Sequence, residues 1–437
     1  MTNNKFQVVI LAGGKGTRLK TISKNMPKPM TKILDKPLLH HQIELCVKQG
    51  ITDIHLLVGY KSEAIFNYFL DGSSFGVKIY YHKEDKPRGT AGALLDVLDS
   101  LNDQFIIIYG DTFLNVDLIS FLSFHNKKNA NITLFLHPNN HPNDSDLIEI
   151  DEQEKIKAIY GYPHPQDKPR RNLVNAGLYI FNKSALSNTK ISKKKSDIAK
   201  NLFPKLLEEN SKIFGYISTE YIKDMGTPER LTSVENDILS GKVDALSKSS
   251  CKRAVFIDRD GVINKEVGHL SSLSQFELIP GVAESILKIN NQGILVIIIT
   301  NQPVIARGEL NGKELRIIHN KMDTLLGISG AYIDAIYYCP HHPHKGFKGE
   351  IAELKKECLC RKPSPGMILR AADELNVALD KSWMIGDSTS DILAAKNAKV
   401  KSILVKTGHS GKDGKYNIKP DYIANNLKEA INLIVSS

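Results

Sequence analysis

Asp258 and Asp260 stand two residues apart in "FIDRDGVIN" (Phe256 to Asn264), directly after an apolar run. On extended backbone alternate side chains leave on the same side. One acid can therefore attack phosphorus while the other carries a proton to the departing alkoxide. Three later features accompany the pair: Thr300 and Asn301 closing the apolar "GILVIIITN", Lys362 in "CRKP", and Asp387 with Asp391 in "MIGDSTSD".

A second cluster lies in "YYCPHHPHKGFKGEIAELKKECLCRKP" (Tyr337 to Pro363), which holds three of the five cysteines and three of the 14 histidines. Cys339 with His341 and Cys358 with Cys360 form two short pairs, 16 residues apart. Four soft donors close a tetrahedral Zn2+ site without a water position, so the zinc would be structural. The loop it pins ends on Arg361 and Lys362. His342 and His344 are surplus to that set and are expected outside it.

A third group precedes these in the chain. "LAGGKGTRL" (Leu11 to Leu19) carries Gly13, Gly14 and Gly16, which let backbone amides approach a polyphosphate, and Arg18, which can neutralise it. Its spacing is neither the dinucleotide-binding fingerprint nor the P-loop. "MPKPM" holds Lys28 between two prolines on a stiff segment. A second backbone-rich loop follows in "PRGTAGAL" (Pro87 to Leu94), then Asp111 at the end of an apolar strand, then Asp224 in "KDMGTPERL". Two carboxylates with glycine loops and cations suit Mg2+-dependent phosphoryl or nucleotidyl transfer.

The elements that must position these groups alternate in type. Buried-strand patterns ("KFQVVILAG", "DIHLLVG", "FIIIYGD", "ITLFL", "AGLYIF") are interleaved with helical ones such as Pro37 to Lys48, and the alternation restarts at "AVFIDRDG". That predicts α/β architecture with two doubly wound domains. At 437 residues the chain exceeds one core. The polar, small-residue stretch near "LSGKVDALSKSSCKR" sets the expected division: domain 1–240, linker 241–252, domain 253–437. The net charge of +10 suits phosphorylated small molecules, and no nucleic-acid partner is expected. No apolar run reaches the roughly 18 residues of a membrane span, the N-terminus lacks a secretion signal, and five cysteines make no disulfide scaffold. A cytoplasmic enzyme with no membrane partner is expected; oligomeric state is not legible.

The motifs of residues 6–235, in their order, resemble the sugar-1-phosphate nucleotidyltransferases, a Rossmann-like fold. The resemblance implies that Leu11, Ala12, Gly13, Gly14, Gly16, Thr17 and Arg18 bind the triphosphate and that Lys28 stabilises the transferring phosphate. It places Gly89 and Thr90, with the loop to Gly92, at the base, Mg2+ on Asp111 and Asp224, and the sugar at Asn175 and Gly177. The Glu-Lys pair often found before that last motif is missing, which leaves Lys168, Arg170 and Arg171 as alternative contacts for the sugar phosphate. Residues 254–437 resemble the haloacid dehalogenase-like phosphatases. There Asp258 is implied to be the aspartyl-phosphate nucleophile, Asp260 the general acid then base, and Thr300, Asn301, Arg361 and Lys362 the phosphate and substrate contacts. Mg2+ falls to Asp258, the Asp260 carbonyl and Asp387.

With its zinc loop the second half resembles the D-glycero-D-manno-heptose 1,7-bisphosphate 7-phosphatases and the related histidinol phosphatases, although Pro303-Val304 replaces the usual Ser-Gly and Ser388 a common lysine. The first half most resembles the D-glycero-D-manno-heptose 1-phosphate guanylyltransferases. Together they imply a bifunctional enzyme of nucleotide-activated heptose synthesis, taking sugar phosphates and a nucleoside triphosphate, for a bacterial surface polysaccharide or glycoprotein. The alternative is another sugar 1-phosphate, of mannose or glucose type, with a phosphatase for another ester such as histidinol phosphate.

Overall fold

The computed structural model describes residues 6–14, 26–165, 168–187 and 195–436, in two compact units. Gly16, Thr17 and Arg18 lie outside the described residues. The first unit comprises residues 1–137, 146–162 and 173–247; the second takes Pro138–Ser145, Pro163–Asn172 and Lys248–Ser437.

The first unit is built on a nine-stranded mixed sheet. Strand Gln7–Ala12 lies at its centre, parallel to Asp53–Val58 on one side and Gln104–Tyr109 on the other, and Lys78–Lys83 continues the parallel set at the edge. Near-continuous runs such as Val8, Val9 and Ile10 are fully buried because helices cover both faces. Beyond Gln104–Tyr109 the direction reverses. Val174–Asn182 pairs antiparallel with it and with Ile132–His137, and Ile213–Ile217 then runs parallel to the latter. Helix Leu38–Lys48 buries Leu39, Ile43 and Cys46, but also Gln42, whose purpose lies at the site below.

The second unit holds a six-stranded, wholly parallel sheet in the order Ala335–Cys339, Leu295–Asn301, Ala254–Ile257, Trp383–Gly386, Lys401–Val405, Tyr422–Ala424. The C-terminal ends of the three central strands lead directly into Gln302, Asp258 and Asp387, the edge at which open α/β sheets place ligands. Helix Gly312–Ile328 starts at a capping box made by Asn311 and Glu314 and buries Leu315, Ile318, His319, Met322, Asp323 and Leu326, a stripe at helical spacing. Within this unit Asp323 accepts from the Asn172 amide (3.2 Å) and Thr324 from the Arg170 amide (3.0 Å). The stretch 241–252 is not extended: Lys242–Ala245 is helical, and Asn376 donates to the carbonyl of Ser250 (2.9 Å).

Candidate active sites

In the first unit, strands Gln7–Ala12 and Gln104–Tyr109 end side by side, and their outlets form the site. A Cβ on Gly110 would stand 2.7 Å from the Leu11 carbonyl, so only glycine lets the Asp111 turn lie against the strand that leads to Gly13 and Gly14. Buried Gln42 clamps that turn, donating to the carbonyls of Tyr109 (2.9 Å) and Thr112 (2.7 Å). Lys28, on a short helical turn after Pro27 and only 9% exposed, meets Asp111 Oδ2 at 2.5 Å. Asp224 lies opposite Thr112 across an antiparallel pair, and Met225 N donates to the Asp111 carbonyl (2.7 Å). Lys28 thus pairs with Asp111, and the strand that carries Asp224 is hydrogen-bonded beside the Asp111 turn. Each carboxylate already faces a cation, since NH1 of Arg230 donates to both Asp224 oxygens at 2.8 and 2.6 Å.

The loop at Gly89 is held from the other side. Gly89 has φ +75°, and a Cβ there would lie 2.3 Å from the Ser196 carbonyl. Thr90 donates its hydroxyl to Asp197 (2.9 Å), and the Ala91 and Gly92 amides point to Ser196 O. Asn175 Oδ1 accepts from the Gly177 amide (3.3 Å), and Gly177, at φ +71°, packs on the Tyr109 ring. Glu84, unremarked in the sequence, reaches Gly13 and accepts from Arg88 N (3.3 Å). The alternative cations Lys168, Arg170 and Arg171 all belong to the second unit, Lys168 as an exposed residue. There burial holds Arg171 below its ordinary pKa. Burial also pushes neighbouring Asp323 up to about 6, with Arg171 opposing that rise.

In the second unit Lys362 is the hub. Its ammonium reaches Asp258 Oδ1 (2.8 Å), Asp391 Oδ1 (2.7 Å) and the Ile299 carbonyl (2.8 Å). Asn301 fixes it in place, accepting from the Lys362 amide (3.0 Å) and donating to its carbonyl (3.1 Å). Asp258, Asp387 and Asp391 converge, one oxygen of each within 4.8 Å of the others. Gly261 and Gly408 close over Asp387, where any Cβ would stand 2.3 or 2.0 Å from Oδ2, and His409 N donates to that oxygen (2.6 Å). Burial pushes Asp258 well above the usual carboxylate range, Lys362 opposing; burial, then Asp391, pushes Asp387 up to about 7. Burial disfavours the Lys362 charge, but Asp258 and Asp391 outweigh it and hold the ammonium protonated. Three buried carboxylates against one lysine leave excess negative charge, which fits a divalent cation.

The Asp260 carboxylate lies outside that cluster of three. Strand alternation ends at Ile257, and the amides of Val262, Ile263 and Asn264 fold back onto the Arg259 carbonyl. Its carboxylate is gripped by Arg259 (2.9 Å to both oxygens), Asn264 (3.0 Å) and Gln302 (2.9 Å). Burial alone would raise its pKa, but the Arg259 charge and these hydrogen bonds hold it below the ordinary value. Thr300 Oγ1 accepts from Gln302 (2.8 Å). Arg259, Asn264 and Gln302 were not singled out by sequence reasoning; their place within "FIDRDGVIN" and after Asn301 was the available signal. Pro303 opens the short helix Pro303–Ala306, and Ser388 caps the next helix by bonding Asp391.

The four zinc candidates meet. Cys339, His341, Cys358 and Cys360 place their donor atoms 3.2–3.6 Å apart in five pairs. Three thiols and one imidazole nitrogen converging on a point match a tetrahedral S3N donor set, so the residues fit Zn2+. Arg361 NH1 donates to the His341 carbonyl (3.1 Å), tying this cluster to Lys362 next along the chain. His342 stays outside the four, paired with Arg307 at 3.3 Å, and His344 is exposed. Among the described residues no helix is long and apolar enough to cross a membrane.

Comparison with known proteins matches the two halves of the chain separately. Residues 7–241 match the model of the nucleotidyl transferase family, and residues 359–430 match a HAD-hydrolase-like model. A mannose-1-phosphate guanylyltransferase of Mycobacterium tuberculosis is 32% identical over 243 residues, 55% of this chain and 67% of that protein. A D-glycero-β-D-manno-heptose-1,7-bisphosphate 7-phosphatase of Pasteurella multocida is 40% identical over 185 residues, 42% of this chain and 97% of that one. Among solved structures, HddC of Yersinia pseudotuberculosis complexed with GMP-PN aligns at TM-score 0.47 and 26% identity, over 53% of this chain and 99% of HddC. With one half matched by each, the chain belongs to the nucleotidyl transferase family over residues 7–241 and, beyond them, to the family of the heptose-bisphosphate 7-phosphatases within the HAD-like hydrolases.

Proposed function

We propose that the chain carries out two steps of nucleotide-activated heptose synthesis: it removes the 7-phosphate from heptose 1,7-bisphosphate and transfers a nucleotidyl group, from GTP, to heptose 1-phosphate. One observation carries the reading: a phosphatase constellation around Lys362 and a transferase constellation around Asp111 occur on one chain, and the first makes the sugar 1-phosphate that the second consumes.

In the phosphatase, an Asp258 carboxylate oxygen bonds to the 7-phosphorus as the P–O7 bond breaks, and Asp260, ionised in the free site and protonated as the anionic substrate binds, gives that proton to the departing O7. Water then attacks the aspartyl phosphate, with Asp260 taking its proton, and inorganic phosphate leaves. Lys362 and Thr300 receive the phosphoryl oxygens, and Arg361 contacts the rest of the substrate. Asp258, Asp387 and the Asp260 carbonyl, joined by Asp391, would hold Mg2+, which supplies charge neutralisation at phosphorus. Zn2+ on Cys339, His341, Cys358 and Cys360 would fix the loop that delivers Lys362.

In the transferase, a sugar 1-phosphate oxygen attacks the α-phosphorus and pyrophosphate departs. Lys28 stabilises the charge that develops, and Asp111 and Asp224 would hold Mg2+, leaving most of its shell to phosphate oxygens and water. The glycines at 13, 14 and 16 with Arg18 take the triphosphate, Gly89 and Thr90 the base, Asn175 and Gly177 the sugar. The division at 241–252 separates the two activities, and the three free thiols of the zinc cluster suit a reducing cytoplasm. The kinship with a mannose-1-phosphate guanylyltransferase favours mannose 1-phosphate as the second reading. An assay resolving phosphate from pyrophosphate, run over four nucleotides and a panel of sugar phosphates, tests both; absence of either release would refute the bifunctional reading.

A further inference from the structure

His319 lies on the buried face of helix Gly312–Ile328, 8% exposed, and the catalytic roles above do not use it. Its Nε2 stands 3.2 Å from NH1 of Arg259, a guanidinium with no solvent exposure. The other two nitrogens of that guanidinium are engaged: Nε and NH2 bind Asp260, and NH2 also binds Gln302 Oε1 (3.1 Å). An arginine has only donors and keeps its proton, so the facing ring nitrogen must present its lone pair and the ring proton must sit on Nδ1. The environment enforces this neutral form, since burial and then the Arg259 charge pull His319 down to about 3. The Tyr338 ring lies edge-to-face with the imidazole, 6.2 Å away between centroids.

The consequence falls on Asp260. A planar fork bonded to both carboxylate oxygens transmits its own rotation to the carboxylate, and NH1 is the corner of the fork that Asp260 does not hold. We propose that His319 is a positioning residue for proton transfer in the phosphatase: as an obligatory hydrogen-bond acceptor it fixes the rotation of Arg259, and through it aims Asp260 at the leaving-group oxygen. The proposal rests on the phosphatase reading. In the step concerned, the Asp258–phosphorus bond forms, the phosphorus–oxygen ester bond breaks, and the ester oxygen takes its proton from Asp260.

The test follows from which substrates need that proton. An alkoxide leaving from a sugar or glycerol phosphate is a poor leaving group; p-nitrophenolate departs unaided. kcat/KM reports events through the formation of the aspartyl phosphate and so excludes its later hydrolysis. His319→Leu should lower kcat/KM for an alkyl phosphate ~10–100-fold, a part of the ~10²–10⁴ that general acid catalysis contributes, while p-nitrophenyl phosphate changes by less than ~3-fold. His319→Gln, which places an amide oxygen near the Nε2 position, should restore the alkyl-to-aryl ratio to within ~3-fold of the parent. Measured on one preparation, the ratio cancels any unfolded fraction, so a poorly folding Leu variant still decides the matter. Equal losses on both substrates, no loss, or a selective loss that Gln fails to restore would overturn the assignment. A parent protein that cleaves neither ester would instead sink the phosphatase reading itself.

Discussion

Replacing Lys362 by Met tests the phosphatase site at its most constrained point. The substitution keeps the length of the side chain and deletes the one cation that touches both Asp258 and Asp391, at 2.8 and 2.7 Å, leaving the Ile299 carbonyl without its 2.8 Å donor. A preorganised charge at a reacting phosphate is worth ~10²–10³ in rate, or ~3–4 kcal/mol of barrier at about 1.4 kcal/mol per tenfold. Removing one partner of a buried ion pair also destabilises by ~3–5 kcal/mol, less whatever the freed carboxylates regain by taking a proton. The pH response has a definite sign. Burial already raises Asp258 and Lys362 opposes it, so the variant's carboxyl lies higher still and is harder to ionise to the nucleophilic carboxylate. The rise of phosphate release with pH should therefore lie at higher pH in Lys362→Met than in the parent. The assay is phosphate release from a sugar bisphosphate, with pyrophosphate release from the same preparation as internal reference. A variant within tenfold of the parent, or one whose pyrophosphate release falls in step while the protein stays folded, would refute the reasoning.

Asp258→Asn should abolish phosphate release and leave nucleotidyl transfer to supplied sugar 1-phosphate nearly unchanged; loss of both in folded protein would contradict two separate sites. Lys28→Ala and Asp111→Asn should each slow pyrophosphate release by ~10²–10³ with phosphatase turnover intact, and full transferase activity in either would remove that residue from the mechanism. Protein prepared without chelators should carry about one zinc per chain by elemental analysis. Cys358→Ser should lose it and weaken phosphatase turnover beyond rescue by Mg2+, while pyrophosphate release stays unchanged.

The parallel cores were legible because their strands are buried on both faces and read as unbroken apolar runs, as in "KFQVVILAG" and "GILVIIITN". Strand direction is a different matter. "AGLYIF" carries the same signal as its parallel neighbours yet runs antiparallel between Gln104–Tyr109 and Ile132–His137, since apolar periodicity records burial and not polarity. Edge strands such as Lys78–Lys83 and Tyr422–Ala424 are half-solvated or short, and leave too weak a pattern to recognise. Nothing in the composition of Pro138–Ser145 or Pro163–Asn172 marks them as belonging to the second unit, because that membership rests on tertiary contacts such as Asn172 with Asp323 and Pro142 beside Gly327.

The candidate sites divide along a similar line. Residues proposed to touch the reacting atoms could be named from type and spacing, because few side chains can attack phosphorus, neutralise it or hold zinc: hence Asp258, Lys28, Lys362 and the Cys339–Cys360 set. Residues that aim them are less restricted in type. Gln42 clamps the Asp111 turn with two amide hydrogens, Gln302 links Thr300, Arg259 and Asp260, and His319 offers one lone pair to Arg259. In sequence each is a polar residue in an ordinary helix or loop. What selects it is the demand of a buried partner for a donor or acceptor in one direction, and that demand exists only once the strands have brought the partner there. Gln42→Leu makes the same point for the transferase: the helix would keep its apolar stripe, but the carbonyls of Tyr109 and Thr112 would lose their donor, and the Asp111 turn would be free to shift while remaining folded.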